Sequence, residues 1–68
     1  MDLVALGDAL DHLATLHERQ AQIIELRFFG GLTIAETAKT LSVGTTTVED
    51  DFVMAKAWLT RELAENQS

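Results

Sequence analysis

Few side chains in this sequence are of the types that carry out chemistry, and they fall into two groups. His12 and His17 are five residues apart, a spacing that does not bring two side chains together on one helix face, and no cysteine is present as a further ligand. Glu49, Asp50 and Asp51 are consecutive, so on a helix their carboxylates point in different directions instead of converging on a divalent cation. We interpret both groups as solvated surface residues and predict no metal site.

Catalytic arrangements are also missing from the sequence. It contains no Ser/His/Asp or Cys/His set with supporting motifs and no phosphate-binding glycine loop. The pair Gly30-Gly31 is better explained as the end of a helix. The sequence therefore predicts neither an enzyme nor a cofactor, and its function must lie in binding surfaces.

Length and composition indicate a single small domain over residues 1–68 with a modest core. Cysteine is absent, which excludes a disulfide framework. No apolar run is long enough to cross a bilayer and no signal peptide is visible, so we expect a cytoplasmic protein with no membrane partner. The net charge is −6, from 5 Lys and Arg against 11 Asp and Glu. Nucleic-acid binders usually carry the opposite excess.

Apolar periodicity divides the first half of the chain into two helices. Residues 1–16 form the first, with leucines at three- and four-residue steps along one face. The second begins at Glu18 or Arg19 and ends at Phe29, before Gly30-Gly31. We expect it to be central, because its apolar residues cover more than one face. Those residues are Ala21, Ile23, Ile24, Leu26, Phe28 and Phe29.

Residues 33–56 have the pattern of a helix-turn-helix. Thr33 and Glu36 fit a capping box that starts the first helix. We expect Ala35 and Ala38 to face inward, because small side chains let two helices cross closely. The inward set of this helix is Ile34, Ala35, Ala38 and Leu41.

Residues 42–44 form the turn, and we expect Gly44 to supply a backbone conformation that bulkier residues resist. A longer helix then begins at residues 45–47 and frays over residues 65–68. Trp58 should pack this helix against the first two. Its other inward residues are Val48, Phe52, Ala55 and Leu59. The predicted fold is all-α, a four-helix domain with a C-terminal helix-turn-helix.

Several of these elements together closely resemble region four of bacterial sigma factors of the extracytoplasmic-function group. The likeness covers nearly the whole chain, and the run LRFFGGLT at residues 26–33 separates it from other bacterial regulators with a similar helix-turn-helix. The remaining elements that carry it are Arg19-Gln20, Glu36-Thr37-Ala38, Leu41-Ser42-Val43, Thr47-Val48 and the ending AKAWL at residues 55–59.

The resemblance implies recognition of the −35 promoter element, with the second helix of the helix-turn-helix in the major groove. It also implies docking on the flap of the RNA polymerase beta subunit and, in many members, binding by an anti-sigma factor. The residues implied at the groove are Thr45, Thr46, Thr47, Glu49, Asp50 and Val53. The residues implied near phosphate are Thr33, Lys39 and Lys56, with Arg27 as a further basic candidate.

One departure from the family pattern supports an alternative function. Where the family typically has Lys or Arg after the Thr-Val pair, this sequence has Glu49-Asp50-Asp51. An acidic residue in the groove accepts a hydrogen bond from cytosine, but carboxylates beside phosphate repel it. The alternative is a sigma-like interaction module that binds an anti-sigma factor, polymerase or a second copy of itself instead of DNA. The partner domain that melts promoters is not in this sequence, so we expect a fragment of a longer factor or a stand-alone version.

Overall fold

The computed structural model of the chain describes residues 3–66 and consists of α-helices joined by short turns. The predicted start at Met1 and the predicted fraying of Gln67 and Ser68 lie outside the described residues. The helices are α1 (Leu3–Leu16), α2 (Glu18–Ile24), α3 (Ile34–Leu41) and α4 (Thr45–Asn66). A π-helical segment, Glu25–Phe29, continues α2. No strand occurs in residues 3–66, and the all-α prediction is confirmed.

The larger of two apolar clusters, which we call the three-helix cluster, lies where α1, α2 and α4 meet. Leu13 is fully buried at its centre. The leucine stripe of α1 reaches the core only in its middle, because Leu3 and Leu16 at its ends are exposed. Trp58 packs against the cluster, as predicted. The buried members are Ala9, Leu10, Leu13, Ala21, Ile24, Ala55 and Leu59.

The smaller cluster, which we call the turn cluster, joins α2 to the helix-turn-helix. Its buried members are Ile23, Ala38 and Val48. Because consecutive residues of α2, Ile23 and Ile24, enter different clusters, the predicted central position of this helix is confirmed.

One inward position of α3 was predicted wrongly. Ala35 is exposed, whereas Thr37 is fully buried. The physical reason is that each residue of a helix is rotated by 100°, which leaves position 35 on the flank when 34, 38 and 41 face inward. The Thr37 hydroxyl donates to the Thr33 carbonyl at 2.8 Å, so its burial leaves no unpaired polar group.

The π-helical segment ends where the sequence predicts. The Gly30 N–H donates to the Glu25 carbonyl at 2.9 Å, and Gly31 has a left-handed φ of 69°. The expectation that Phe28 and Phe29 lie in the centre of the domain is wrong, since both are about 60% exposed (61% and 62%). The wider turn changes the direction in which these side chains leave the helix axis.

The turn between α3 and α4 also differs from the prediction. Ser42, not Gly44, has the left-handed conformation, with a φ of 57°. The Val43 N–H donates to the Ala38 carbonyl at 3.0 Å and the Ser42 N–H to the Lys39 carbonyl at 3.3 Å, the bond pair of a Schellman motif. This motif requires positive φ at the residue directly after the helix, which places the special conformation two residues before Gly44.

Candidate nucleic-acid interface

The N-terminus of α3 is closed by the predicted capping box. The Glu36 N–H donates to Thr33 Oγ1 at 3.1 Å, and the Thr33 N–H donates to Glu36 Oε1 at 2.9 Å. The pKa of Glu36 is lowered mainly by the hydrogen bond from the Thr33 backbone and also by a hydrogen bond with the Thr33 side chain. Thr33 is exposed, as a phosphate contact requires, but a bound phosphate would lie beside the Glu36 carboxylate.

The N-terminal half of α4 presents a mixed polar and apolar surface to solvent, which we call the outer face. Thr47 is half-buried at its edge, and Val53 is 63% exposed. This face brings together most of the side chains predicted to meet the groove. Its exposed members are Thr45, Thr46, Glu49, Asp50 and Val53.

Asp51 does not belong to the outer face, so the interpretation of all three carboxylates as solvated is wrong for this residue. Its side chain is only 16% exposed and accepts a hydrogen bond from Arg19 Nε at 2.5 Å. Arg19 lies in the first turn of α2, 32 residues earlier in the chain. Neither Glu49 nor Asp50 has a partner of this kind among residues 3–66.

Phe52 lies between two cationic side chains. The Arg27 guanidinium is 4.8 Å and Lys56 Nζ is 4.7 Å from the centre of its ring. Arg27 Nη1 also donates to the Leu32 carbonyl at 2.9 Å, which ties the π-helical segment to the residue before Thr33. Both are cation–π contacts, and the one from Arg27 joins the π-helical segment to α4, whereas the one from Lys56 lies within α4.

The five Lys and Arg residues of the chain are therefore unequally available to DNA. Arg19, Arg27 and Lys56 contact Asp51 or Phe52. Lys56 remains exposed, about 10 Å beyond Glu49 along the same side of α4. Lys39, on α3, and Arg61, near the end of α4, are exposed and form no ion pair within the described part of the chain.

Comparison with known families agrees with this architecture. Residues 1–65 match the family described as ECF sigma factor. The chain belongs to that family. ECF sigma factors are non-catalytic regulators of transcription that act with RNA polymerase at promoters, so the resemblance inferred from the LRFFGGLT run is confirmed at this level. No curated protein and no solved structure matches the chain.

A second surface of this sigma domain is an apolar groove of about 400 Å³ between α1, the π-helical segment and the C-terminal half of α4. Phe28 and Phe29 form part of its wall, and Lys56 is its one charged lining residue. The other lining residues are Leu3, Leu6, Ile24, Leu59, Thr60 and Leu63.

The two histidines of the sigma domain lie far from the outer face. The His12 ring meets Trp58 edge to face with centroids 5.5 Å apart, and its Nδ1 is 3.5 Å from Glu62 Oε1. His17 is exposed at the start of α2. Residues 3–66 contain no group of three or more His, Cys, Asp or Glu side chains that are placed to hold one metal ion together. No helix in the same range is long and apolar enough to span a membrane.

Sequence reasoning placed Phe52 correctly among the inward residues of α4 but missed its contact with Arg27 and the bond of Arg19 to Asp51. Nothing in the local pattern connects Arg19 to Asp51, because the pair forms only when α2 packs against α4. The family likeness did include Arg19 and the stretch around Arg27, but the likeness alone does not tell a phosphate contact from a packing contact.

Proposed function

We propose that this ECF sigma factor domain recognises the −35 element of a promoter by inserting the N-terminal half of α4 into the major groove. The observation that supports it is the outer face, where small hydroxyl, carboxylate and methyl groups are exposed together on one helix beside α3. Hydroxyls bond to base edges or phosphate, a methyl group contacts thymine, and a carboxylate accepts from cytosine N4. In the same proposal residues 1–68 form a single domain that works in the cytoplasm and catalyses no reaction.

Phosphate contacts in this proposal are few. Lys39 and Lys56 are the two cations near the helix-turn-helix, and Thr33 adds an uncharged contact at the start of α3. Each neutralised phosphate contributes about −0.9 to the slope of log K against log salt, so two cations predict a slope of about −2. This is shallow for a DNA-binding protein and follows because Arg19 and Arg27 are engaged by Asp51 and Phe52.

The test is a fluorescence-anisotropy titration of promoter and random duplexes over a range of salt concentrations. Lys39→Gln should reduce the magnitude of the slope by about 1 and weaken binding to both duplexes alike. Arg61→Gln is the matched control, because it removes the same charge from an exposed position outside the helix-turn-helix. Absence of binding at low salt, or equal effects of both substitutions, would count against promoter recognition.

A second candidate function is a sigma-like interaction module that binds protein instead of DNA. It is favoured by the net charge of −6 and by the exposed Val53 and Met54 beside Glu49 and Asp50. Its partners would be the RNA polymerase beta-subunit flap, an anti-sigma factor or a second copy of the chain. The apolar groove is the surface we propose for the flap, because Phe28 and Phe29 are exposed there.

Two substitutions separate these functions. Phe29→Ser should weaken binding to the isolated flap in calorimetry and leave DNA affinity unchanged. Val53→Ser should weaken DNA binding and leave flap binding unchanged if the outer face meets DNA. If Val53→Ser instead weakens binding of a protein partner and the wild-type chain has no affinity for DNA, the interaction module is the better account.

A further inference from the structure

Three consecutive carboxylates of α4 have two different environments. Glu49 and Asp50 are exposed, whereas the Asp51 side chain is 16% exposed and is bound by Arg19. A formal charge count treats the three as equal sources of repulsion toward DNA. Their geometry shows that they are not equal, because the Asp51 carboxylate is directed toward α2 and its charge is compensated there.

The contact belongs to a larger arrangement in which two arginines of residues 18–29 contact two neighbouring residues of α4. Arg19, at the start of α2, bonds Asp51, and Arg27, in the π-helical segment, stacks on Phe52. The two contacts are made near opposite ends of the continuous stretch 18–29. Because α4 is contacted from both ends of residues 18–29, it has little freedom to rotate relative to α2.

This connection adds to the packing that holds the helix-turn-helix on the domain. The three-helix cluster joins α4 to α1 and α2 through Ala55 and Leu59, and α3 contacts the π-helical segment. Nearer the start of α4 the buried apolar link is smaller, with Ile23 as the member from α2. At the start of α2, His17 makes no side-chain cap, so the ion pair is the directional polar contact there. The Asp51 carboxylate is largely shielded from water, whereas the Arg19 side chain is 52% exposed, so solvent screens the pair in part.

We propose that Arg19 and Asp51 are positioning residues that set the orientation of the outer face, and that Asp51 does not face DNA. The DNA readout of this inference rests on the proposed function. It goes beyond that function because it divides the acidic run into two carboxylates that oppose binding and one that supports it. Removing the same single charge at adjacent positions must then change DNA affinity in opposite directions.

The experiment compares Asp51→Asn with Glu49→Gln and Asp50→Asn, three near-isosteric substitutions that each remove one negative charge. Asp51→Asn should lower affinity for the promoter duplex by about two- to fivefold, the range expected for loss of a partly exposed ion pair. Its salt slope should stay unchanged, since no phosphate contact is lost. Both control variants should raise affinity for a random-sequence duplex, where no bond to a specific cytosine is lost. If Asp51→Asn raises it as well, Asp51 faces DNA and the inference is wrong.

A charge exchange distinguishes positioning from simple stability. Arg19→Asp alone should lower affinity, and combining it with Asp51→Arg should restore at least half of the loss. Urea denaturation of the same variants reports stability separately. A double variant that regains stability but not affinity would overturn the positioning role.

The inference remains testable if the wild-type chain binds no DNA, an outcome that would overturn the proposed function alone. In that case backbone amide shifts of residues 45–54 decide. Arg19→Gln and Asp51→Asn should shift the same amides across this stretch, whereas Glu49→Gln should affect only its neighbours. Shifts confined to the site of each substitution would show that the pair positions nothing.

Discussion

The three-helix cluster and the turn cluster are stabilised in different ways. The first buries large side chains from α1, α2 and α4 around Leu13. The second buries one isoleucine, one alanine and one valine, and the residue beside them, Thr37, is polar. Four half-buried apolar residues complete this cluster, Ile34, Leu41, Val43 and Phe52. Hydrogen bonds at the two ends of α3, the capping box and the Schellman motif, add to this smaller packing. Apolar packing dominates one region, whereas the other combines a smaller core with backbone hydrogen bonds.

The difference bears on function because the outer face lies on the region with the smaller core. Regions with few buried apolar contacts open at lower free energy than the rest of a domain. In this sigma domain the polar contacts at the ends of α3 and along α2 limit such opening. They add no apolar surface to the outer face.

The strongest test of the comparison truncates the centre of each cluster. Leu13→Ala should lower the free energy of unfolding by about 3 kcal/mol, because the cavity lies among three helices. Val48→Ala should cost about 2 kcal/mol, since a smaller side chain is removed. Urea denaturation followed by helical circular dichroism measures both. Leu16→Ala, at a 52% exposed position, is the control and should change stability by less than about 0.5 kcal/mol. Equal costs at Leu13 and Val48 would remove the distinction between the clusters.

The next largest effect is expected at the capping box. Thr33→Ala should cost about 1 kcal/mol, because the N–H of Glu36 loses its acceptor. Hydrogen exchange should show the loss concentrated in α3. Thr60→Ala is the matched control, since the Thr60 hydroxyl bonds only the Lys56 carbonyl on the helix surface and alanine has the higher helix propensity. If Thr60→Ala lowers stability as much as Thr33→Ala does, the cap has no special role.

Two substitutions in the turn should raise stability instead of lowering it. Ser42→Gly relieves a left-handed conformation and should add about 0.5 kcal/mol to the free energy of unfolding. Gly44→Ser should add a similar amount, about 0.5 kcal/mol, because no atom lies within 4 Å of the added Cβ, the φ is not positive and serine caps a helix better than glycine at the position before α4. Thermal denaturation measures both changes. If Gly44→Ser destabilises the domain and Ser42→Gly does not stabilise it, the turn has the geometry predicted from sequence.

The smallest effect concerns pH. The pKa of Glu36 is lowered from its ordinary value of 4.5, chiefly by the backbone hydrogen bond from Thr33. Its contribution to stability is therefore present above pH 4.5 and is lost as the pH falls through the lower pKa of the folded state. Glu36→Gln should reduce this loss in acid denaturation curves. Identical curves for wild type and variant would show that the box is not linked to protonation.

The sequence predicted the features that depend on residues close together in the chain. The capping box and the glycine stop needed only residues within a few positions of one another, such as Thr33 with Glu36. The errors at Ala35, Gly44 and Phe28 arose where a one-residue difference in rotation or hydrogen-bond register decides which side chain is inside. Periodicity does not resolve a difference of that size, and a π-helical turn shifts the register further.

The amino-acid sequence by itself determined an all-helical chain, the capping box and the limits of α3, because local bonds and apolar spacing are enough to specify those features. Its resemblance to ECF sigma factors indicated the family and most residues of the outer face. Only the tertiary structure decided that Asp51 turns away from that face to meet Arg19 and that Arg27 contacts Phe52. These contacts join residues far apart in the chain, and packing of α2 and the π-helical segment on α4 brings them within reach.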